Sequence, residues 1–355
     1  MDRLEAWWIL AGIPGWGPKQ VKRAVRHAGS LERAVERALP RLPNADDWLS
    51  NRLRELHTER ARGRWAMAWD DPDFPEAWRE LPDPPLVVFG EGVPFSVEDS
   101  SCHTAIVGTR KCSDEAQRVA FELGKALAQR SATVVSGLAR GVDAAAHRGA
   151  CYVGHRTVGI LGGGVGNVQP RSSVPIATRM VELGGAVLSE RVTGEPVHRW
   201  HFAARNRLVV GLSHAVVVVQ SPAKGGALIS AQLALDSGVT CWVYRPDKGL
   251  DTPLWAGNRK LLDEFPSMGW HSVEALAERI TKGHGVVNGF VAESGLPPAF
   301  RSTWRHIMQT RGAQLDILAM RTGTDAASLQ KQLHAMELGG WVRRMPGGWY
   351  VPLKI

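Results

Sequence analysis

Short apolar runs alternate with helical patterns through the middle of this chain, and this alternation limits the folds open to it. The apolar runs occupy residues 104–108, 133–137, 157–163, 186–190, 214–221 and 240–246. Helical patterns occupy residues 113–130, 140–151, 172–184, 199–211 and 226–237. Repeated β-α units with apolar strands predict a mostly parallel sheet with helices on both faces, an extended Rossmann-like, doubly wound α/β fold. In such a sheet, ligands bind in the crevice at the carboxyl ends of the strands.

The sequences on either side of this region show different patterns. Residues 1–70 show apolar positions at helical spacing and predict a small all-α domain. Residues 71–100 concentrate proline, which indicates a connector or an extended segment along the next domain. The Rossmann-like domain then spans residues 101–265, with a lead-in from residue 80. After a second connector (266–298), residues 299–355 show three helical stretches and a β-hairpin pattern, which predict a winged helix.

Composition narrows the class of protein and of partner. A length of 355 residues predicts two or three domains. A net charge of +8 and a pI near 9.6 favour a polyanionic partner. The four cysteines form no C-x-x-C pair, so we expect neither a zinc site nor disulfides, as in a reducing cytoplasm. The apolar stretch at residues 6–12 is too short to span a membrane, and we expect a cytoplasmic protein with no membrane partner.

Glycine-rich turns follow several of the predicted strands, but they do not match the nucleotide-binding motifs. The dinucleotide motif G-x-G-x-x-G is not completed, because Asn167 stands where residues 162–169 would need the third glycine. The P-loop motif G-x-x-x-x-G-K-[ST] is also missing from these turns. We therefore expect no nucleotide cofactor and no metal.

Cations accompany these turns and would meet at one rim of the sheet. Glycine lets backbone amides approach a ligand, helix N-termini add partial positive charge, and arginine binds phosphate in a bidentate way. The turns therefore predict a crevice that holds several phosphates. The cations are Arg110, Lys111, Arg140, Arg171, Arg205, Arg207 and Lys224.

Few carboxylates share that rim, and they do not form an evident catalytic group. His147 lies four residues after Asp143, so the two side chains would share one helix face. The pair fits either a general base or a hydrogen bond that orients the turn, and the second reading is favoured. The nucleophile motif G-x-S-x-G does not occur in these turns. We expect no catalytic residues.

Six motifs follow one another in unbroken order through the central region. They are "AIVGTRKCS", "VVSGLARGVDAAAH", "VGILGGGVGNVQP", "LSE", "RNRLVVGLS" and "GGALISAQLAL". These motifs resemble those of the DNA-processing protein A (DprA, also called Smf) family, and the resemblance spans residues 80 to 265. It implies a SAM-like N-terminal domain, a Rossmann-like domain that binds single-stranded DNA, and a C-terminal winged helix. It further implies a homodimer that loads the RecA recombinase during natural transformation and is not an enzyme.

The family motifs assign a site residue by residue. The G-[ST]-R turn begins at Gly108, the S-G-x-A-x-G-x-D segment runs from Ser136 to Asp143, and R-N-R begins at Arg205. Together with the neighbouring cations, the resemblance implies the following residues for binding single-stranded DNA: Gly108, Thr109, Arg110, Lys111, Ser136, Gly137, Arg140, Gly141, Arg171, Arg205, Asn206, Arg207, Lys224, Gly225 and Gly226.

The chain departs from the family at two turns. The usual Tyr-Pro-x-x-Asn begins here at Gln169, which removes an aromatic ring and an asparagine. The usual Lys-Ser-Gly-Ser begins here at Lys224, with Gly225 and Ala227 at the serine positions. Two hydroxyl donors are lost from that turn, which leaves mainly backbone amides to contact phosphate.

The flanking domains offer further DNA contacts. The segment "GIPGWGPKQVKRAV" fits a helix-hairpin-helix, in which Gly15, Gly17, Lys19 and Lys22 would contact a phosphate; a purely structural hairpin fits equally well. The winged helix carries Lys331 on its third predicted helix and Arg343 and Arg344 on its predicted wing. That third helix is poor in residues that read bases. A protein contact is at least as well supported there as a contact with duplex DNA.

Two other functions remain as alternatives. A Rossmann-like nucleotide phosphoribohydrolase would carry a G-G-x-G-T-x-x-E turn, but after Gly225 and Gly226 the first carboxylate is Asp236, at the far end of the predicted helix. A transcriptional regulator would use the winged helix on a preferred duplex site. The leading hypothesis is a binding protein for single-stranded DNA.

Overall fold

The computed structural model describes residues 1–94, 101–288, 300–310, 313–338, 341–345 and 348–352. The N-terminal part is helical, as its periodicity predicts. Its first helix begins with a capping box, in which the Asp2 carboxylate accepts from the Glu5 amide and the Glu5 carboxylate accepts from the Asp2 amide. The four helices are α1 (Arg3–Ala11), α2 (Pro18–Ala28), α3 (Leu31–Ala38) and α4 (Ala45–Ala61).

A nine-stranded sheet forms the centre of the molecule, in the order β1-β2-β6-β5-β4-β3-β7-β8-β9. Strands β3 to β9 pair in parallel, and β1 and β2 add to the β6 edge in antiparallel fashion. The predicted mostly parallel sheet is confirmed. The strands are β1 (Trp65–Ala68), β2 (Val87–Gly92), β3 (His103–Val107), β4 (Thr133–Ser136), β5 (Thr157–Ile160), β6 (Ala186–Ser189), β7 (Ala215–Val218), β8 (Thr240–Tyr244) and β9 (Gly269–Trp270).

Helices cover both faces of the sheet, so the doubly wound prediction is also confirmed. On one face, Ile106 and Val217 pack against α6, α7 and α12; on the other, Val107 and Val218 pack against α9, α10 and α11. Alternate residues of each strand thus enter opposite cores, which explains why the strands are apolar throughout. The helices are α5 (Glu76–Arg79), α6 (Asp114–Ala128), α7 (Val142–Tyr152), α8 (Val174–Glu182), α9 (Arg199–Gly211), α10 (Gly226–Asp236), α11 (Ala256–Glu264) and α12 (Val273–Asn288).

The two expected connectors are more ordered than their composition indicates. Strand β1 falls inside the segment expected to be helical, and β2 falls inside the proline-rich connector, where Val87, Val88 and Phe89 are buried. Prolines precede β2 without interrupting it, so an apolar strand follows them directly. Two alternatives were predicted for residues 71–100, a connector or an extended segment along the next domain. The extended segment is the one that describes residues 87–92. The second connector contains β9 and α12, while residues 95–100 and 289–298 lie outside the described residues.

A buried ion-pair network joins the helical part to the sheet. The Glu59 carboxylate, at the end of α4, accepts from Arg64 Nη1 at 2.6 Å and from the Thr193 amide at 2.9 Å. Burial opposes ionisation of Glu59, but these hydrogen bonds outweigh it and lower its pKa. Because Thr193 lies in the loop after β6, the network attaches α4 to the Rossmann-like sheet.

The C-terminal residues form a winged helix with its own core, as predicted. Its elements are α13 (Arg301–Thr310), β10 (Ala313–Gln314), α14 (Leu315–Thr322), α15 (Ala326–Leu338), β11 (Val342–Met345) and β12 (Trp349–Pro352). The strands form an antiparallel sheet in the order β10-β12-β11, and the helices pack through Trp304, Leu318 and Leu333. The turn predicted at residues 346–348 lies partly outside the described residues.

Candidate functional site

A crevice opens where the strand order of the sheet reverses. From the central strand β3 the chain proceeds to β4, β5 and β6 on one side, whereas β7, β8 and β9 lie on the other. The turns after β3 and β7 therefore diverge and leave a cavity of about 390 Å³ at their carboxyl ends. The side chains and turns that define it include Gly108, Arg110, Gly137, Arg199, Phe202 and Lys224.

The turn after β3 forms the first wall. A Cβ on Gly108 would lie 2.5 Å from Val142, so only glycine lets the start of α7 approach this closely. The Thr109 amide donates to the Gln220 carbonyl at 2.8 Å, which ties this turn to the end of β7. Arg110 is exposed, with its guanidinium carbon 5.0 Å from the centre of the Phe202 ring.

The N-terminus of α10 forms the opposite wall. No side chain caps this helix at Gly225, and Lys224 immediately before it is exposed. The helix dipole and the lysine therefore present positive charge to the crevice. A Cβ on Gly226 would meet no atom within 4 Å, whereas a Cβ on Gly225 would overlap Ser221 Oγ. The Asn206 amide donates to the Gly226 carbonyl at 3.3 Å and joins α9 to this wall.

A buried arginine forms the floor. Arg205 is 6% exposed, and its guanidinium donates to the Ile160 carbonyl at the end of β5. Burial lowers the pKa of Arg205 to about 10, with the attraction of Asp143 acting in the opposite direction, so the side chain remains a cation at neutral pH. Its Nε atom has no hydrogen-bond partner among the described residues. Arg205 thus adds a fixed positive charge beneath the crevice.

The Asp143 carboxylate supports this floor. It accepts from the Gly137 amide at 3.2 Å, and its pKa is raised by burial against the attraction of Arg205. A Cβ on Gly137 would overlap the Arg205 guanidinium. Gly141 has a φ of 79°, and a Cβ there would overlap the Thr109 carbonyl. These two glycines allow the turn after β4 to fit against its neighbours.

Asp143 and His147 have separate partners and show no general-base geometry. His147 is buried, and its Nδ1 lies 2.8 Å from Thr157 Oγ1, which links α7 to β5. Burial lowers the pKa of His147 to about 3, so the ring is neutral at pH 7. Asp143 instead holds the Gly137 amide. The arrangement corresponds to the reading in which a hydrogen bond orients the turn.

Several predicted site residues lie elsewhere. Arg207 forms a bidentate ion pair with Glu190, at 2.6 and 2.7 Å, and its Nε donates to the Asp83 carbonyl at 2.7 Å. Burial opposes its charge, but the Glu190 pair outweighs burial and raises the pKa of Arg207. It lines a second cavity on the other side of α9. The sequence predicted that Arg207 faces the crevice, but in the structure it lies outside the crevice lining.

The remaining predicted residues divide into buried and peripheral ones. Ser136 is buried and donates to the Ile106 carbonyl at 2.6 Å, so it supports the sheet. Lys111, Arg140 and Arg171 are exposed on their turns, but they are not among the residues that line the crevice.

Arg199 and Phe202 line the crevice, although neither was among the predicted site residues. Both lie at the start of α9, where Arg199 is exposed and Phe202 is half-buried beside Arg110. Helical spacing could have found them, because residues 199, 202 and 206 share one face of a helix. They add a cation and an aromatic ring to the site.

In the two flanking domains, most of the residues singled out from the sequence are exposed. In the N-terminal hairpin, the Gly17 amide donates to Gln20 Oε1 at 3.2 Å, and the Lys22 ammonium lies 4.8 Å from the centre of the Trp69 ring. Burial, followed by repulsion from Arg26, lowers the pKa of Lys22. Gly15 and Lys19 are exposed. In the winged helix, Lys331, Arg343 and Arg344 are exposed.

Comparison with known proteins identifies the family. Residues 65–281 match the family described as DNA recombination-mediator protein A. The chain belongs to the DprA family. Residues 307–348 also match the DprA winged-helix domain. The family assignment covers the whole crevice, and the resemblance found in the sequence motifs is confirmed.

Individual DprA and Smf proteins resemble the chain to a similar degree. DprA of Bacillus subtilis is 30% identical over 251 residues, which cover 71% of this chain and 80% of that protein. Smf of Escherichia coli is 29% identical, covering 80% and 76%, respectively. Smf of Synechocystis is 32% identical, and the match spans 65% of this chain and only 62% of that protein.

Two solved structures share the fold. DprA of Streptococcus pneumoniae has a TM-score of 0.61 at 21% identity, covering 79% of this chain and 98% of that structure. DNA processing protein A of Helicobacter pylori, whose single-stranded DNA binding mode has been described, has a TM-score of 0.54 at 25% identity and covers 62% and 96%.

The described part of the chain contains neither a membrane-spanning helix nor a cluster of metal ligands. Within the described ranges, no helix is long and apolar enough to cross a membrane. The same residues contain no group of three or more His, Cys, Asp or Glu side chains that could hold a metal ion.

Proposed function

We propose that the chain binds single-stranded DNA in the crevice between the β3 and β7 turns. The observation that carries this proposal is the convergence of Arg110, Arg199 and Lys224 on the uncapped N-terminus of α10, above the buried cation of Arg205. Phosphates along the strand would bind the cations and the helix terminus, while a base would stack on Phe202. The H. pylori relative is described as a single-stranded DNA-binding protein.

The proposed role is binding without catalysis and without a cofactor. Asp143 is the carboxylate that lines the described crevice, and it is buried and hydrogen-bonded to the Gly137 turn. Asp236, the first carboxylate after the Gly225 turn, lies at the end of α10 and outside the crevice lining. This arrangement favours a binding protein over the phosphoribohydrolase, and an assay for hydrolysis of nucleoside monophosphates separates the two.

The wider role rests on the family. We propose that the chain acts in the cytoplasm as a homodimer, receives DNA during natural transformation and loads RecA onto it. The exposed hairpin residues Gly15 and Lys19 are proposed as secondary DNA contacts, and the exposed winged-helix residues Lys331, Arg343 and Arg344 as contacts for DNA or for a protein. A competition gel with single-stranded and duplex oligonucleotides distinguishes this role from that of a duplex-specific regulator.

The crevice is tested by removing its cations one at a time. Arg110→Ala and Arg199→Ala should each weaken binding of oligo-dT by about tenfold or more, because a hydrogen bond to a charged group contributes roughly 1.5–3 kcal/mol. The slope of log K against log salt should decrease by about 0.7 for each lost phosphate contact. Fluorescence anisotropy at several salt concentrations measures both quantities.

The matched control is Arg179→Ala. Arg179 lies on α8 in an exposed ion pair with Glu182, outside the crevice lining, and its removal changes the net charge of the protein by the same amount. Its affinity and salt slope should remain those of the wild type. If Arg110→Ala and Arg199→Ala behaved like this control, the crevice would not be the DNA site.

A further inference from the structure

The helical domain carries a basic groove that the proposed DNA site does not include. The groove lies between α2 and the segment of α3 and its following turn, and its volume is about 450 Å³. Two small residues, Ala24 and Ala34, line its base, which leaves room for a ligand between the helices. The larger side chains around it are Trp16, Gln20, Arg23, His27, Arg37 and Arg41.

Helix geometry explains why these side chains line one groove. On α2, residues 20, 23 and 27 are spaced to share one face, while Val21 and Ala28 are buried on the other. On the α3 side, residues 34, 37 and 41 have the same spacing, and Val35 and Ala38 are buried. Each helix packs its apolar face inward and directs arginines to the groove. Arginines from two separate segments therefore face the same space.

The charge of this groove is not compensated by neighbouring acids. Residues 18–41 contain seven Lys and Arg but only two Glu, so they account for five of the eight net positive charges of the chain. The groove lining includes no Asp or Glu. Among the described residues, Arg23, Arg37 and Arg41 form no ion pair, whereas Arg60 and Arg64 of the same domain pair with Asp2 and Glu59. Arg37 donates to the His27 carbonyl at 3.2 Å.

Aromatic residues connect this groove to the crevice. Trp16 lines both the groove and a cavity of about 370 Å³ between the helical domain and α9. The same cavity is lined by Trp200, which is 61% exposed and directly follows the crevice residue Arg199. The acids there are Asp83, Glu190 and Glu195; Arg207 pairs with the first two and Arg191 with the third.

We propose that a single-stranded nucleic acid leaving the crevice crosses Trp200 and Trp16 and lies in this groove. Guanidinium groups bind phosphate oxygens, and aromatic rings stack on bases without regard to sequence, which is the chemistry of single-strand binding. Because the cations line both walls instead of meeting at one point, the groove fits a strand better than a single phosphate. This inference rests on the proposed function of the crevice, and it extends the DNA path to a groove of the helical domain that the hairpin residues Gly15 and Lys19 do not line.

The proposal predicts a dependence on oligonucleotide length. In the full chain, the triple variant Arg23→Ala, Arg37→Ala, Arg41→Ala should bind an oligo-dT of about 8 nucleotides as the wild type does, because that length fills one site. With an oligo-dT of about 30 nucleotides, which spans both sites, its affinity should fall at least tenfold. Its salt slope should also decrease by about 2, for three lost phosphate contacts. Trp200→Ala should weaken binding of the long oligonucleotide only.

The matched control removes three arginines from the same domain outside the groove. Arg26, Arg33 and Arg54 are exposed and are not lining residues, so their triple alanine variant loses the same charge. Equal binding of the long oligo-dT by the two triple variants would overturn the proposal. The proposal would also be overturned if the groove variant lost binding only of duplex DNA or of poly-glutamate and kept its binding of the long oligo-dT. Arg110→Ala distinguishes failure of the two proposals. If Arg110→Ala did not weaken oligo-dT binding while the groove variant did, the proposed crevice site would be wrong and the proposed groove site would stand.

Discussion

At the scale of single residues, the crevice depends on glycine, the residue without a side chain. Gly137 lies against the Arg205 guanidinium so closely that a Cβ would overlap it. That guanidinium cannot move away easily, because it is buried and donates to the Ile160 carbonyl. The glycine therefore allows a buried cation beneath the crevice. The positive charge of the site depends on backbone packing as well as on its exposed arginines.

Gly137→Ala tests this packing. Overpacking of a buried site costs about 1–3 kcal/mol, so urea unfolding should show a midpoint lowered accordingly, and oligo-dT affinity should fall as Arg205 is displaced. The control is Gly226→Ala, whose added Cβ meets no atom within 4 Å. This control should leave the free energy of unfolding unchanged or raise it by up to about 1 kcal/mol. Equal unfolding midpoints for the two variants would contradict the packing argument.

At the scale of elements, helix α9 separates residues that are neighbours in the sequence. Its residues 199, 202 and 206 face the crevice, whereas residues 200, 204 and 207 face the cavity beside the helical domain. Side chains two positions apart in a helix point in directions about 200° apart around its axis. Arg205 and Arg207 of the R-N-R motif therefore cannot share a surface. Arg205 supports the floor of the crevice, while Arg207 attaches α9 to Glu190.

The attachment of α4 to the sheet is also tested at this scale. The ionised Glu59 carboxylate binds Arg64 and Thr193, and Glu59→Gln should lower the free energy of unfolding at pH 7 by about 2 kcal/mol, since hydrogen bonds to charged groups contribute roughly 1.5–3 kcal/mol. Because the pKa of Glu59 is lowered from its ordinary value of 4.5, its contribution is complete above that pH and is lost as the pH falls below it.

Urea unfolding of the wild type and Glu59→Gln from pH 7 to pH 3 measures this effect. The difference between the two proteins should be constant above pH 4.5 and shrink at lower pH. Glu182→Gln is the control, since Glu182 lies in an exposed ion pair with Arg179 on α8, and exposed pairs contribute about 0–1 kcal/mol. A difference that did not change with pH would show that the Glu59 charge does not stabilise the fold.

At the scale of the whole molecule, the crevice is built from the Rossmann-like domain alone. All its lining residues lie between Val107 and Ser230, and the winged helix has a separate core around Leu318 and Leu333. A chain ending at residue 288 should therefore bind a short oligo-dT with the Kd of the full chain, as measured by fluorescence anisotropy. A large loss of affinity would show that the crevice is incomplete without the winged helix.

The sequence by itself determined the main architecture. Apolar strands, helices between them and glycine turns are local patterns, because backbone conformation and the burial of a face depend on residues close in the chain. The predicted turns at Gly108, Gly137 and Gly225 indeed lie at the rim of one crevice. Strand β2 was predicted only as one of two alternatives, an extended segment, because the prolines before it are equally typical of a connector; its three apolar residues are buried in the sheet.

Only the tertiary structure decided which charges face a ligand. Arg199 and Arg207 lie on the same helix, and nothing in the sequence around them distinguishes their roles. In the structure, Glu190, directly after β6, pairs with Arg207, whereas Arg199 is exposed at the crevice. Likewise, the hairpin lysine Lys22 lies on Trp69, while Arg23 beside it faces an open groove. The physical reason is that Glu190 and Trp69 reach these two cations only through the fold, from 17 and 47 residues away in the chain. The sequence around Arg207 or Lys22 does not specify such a partner, and the partner decides whether the charge is available to a ligand.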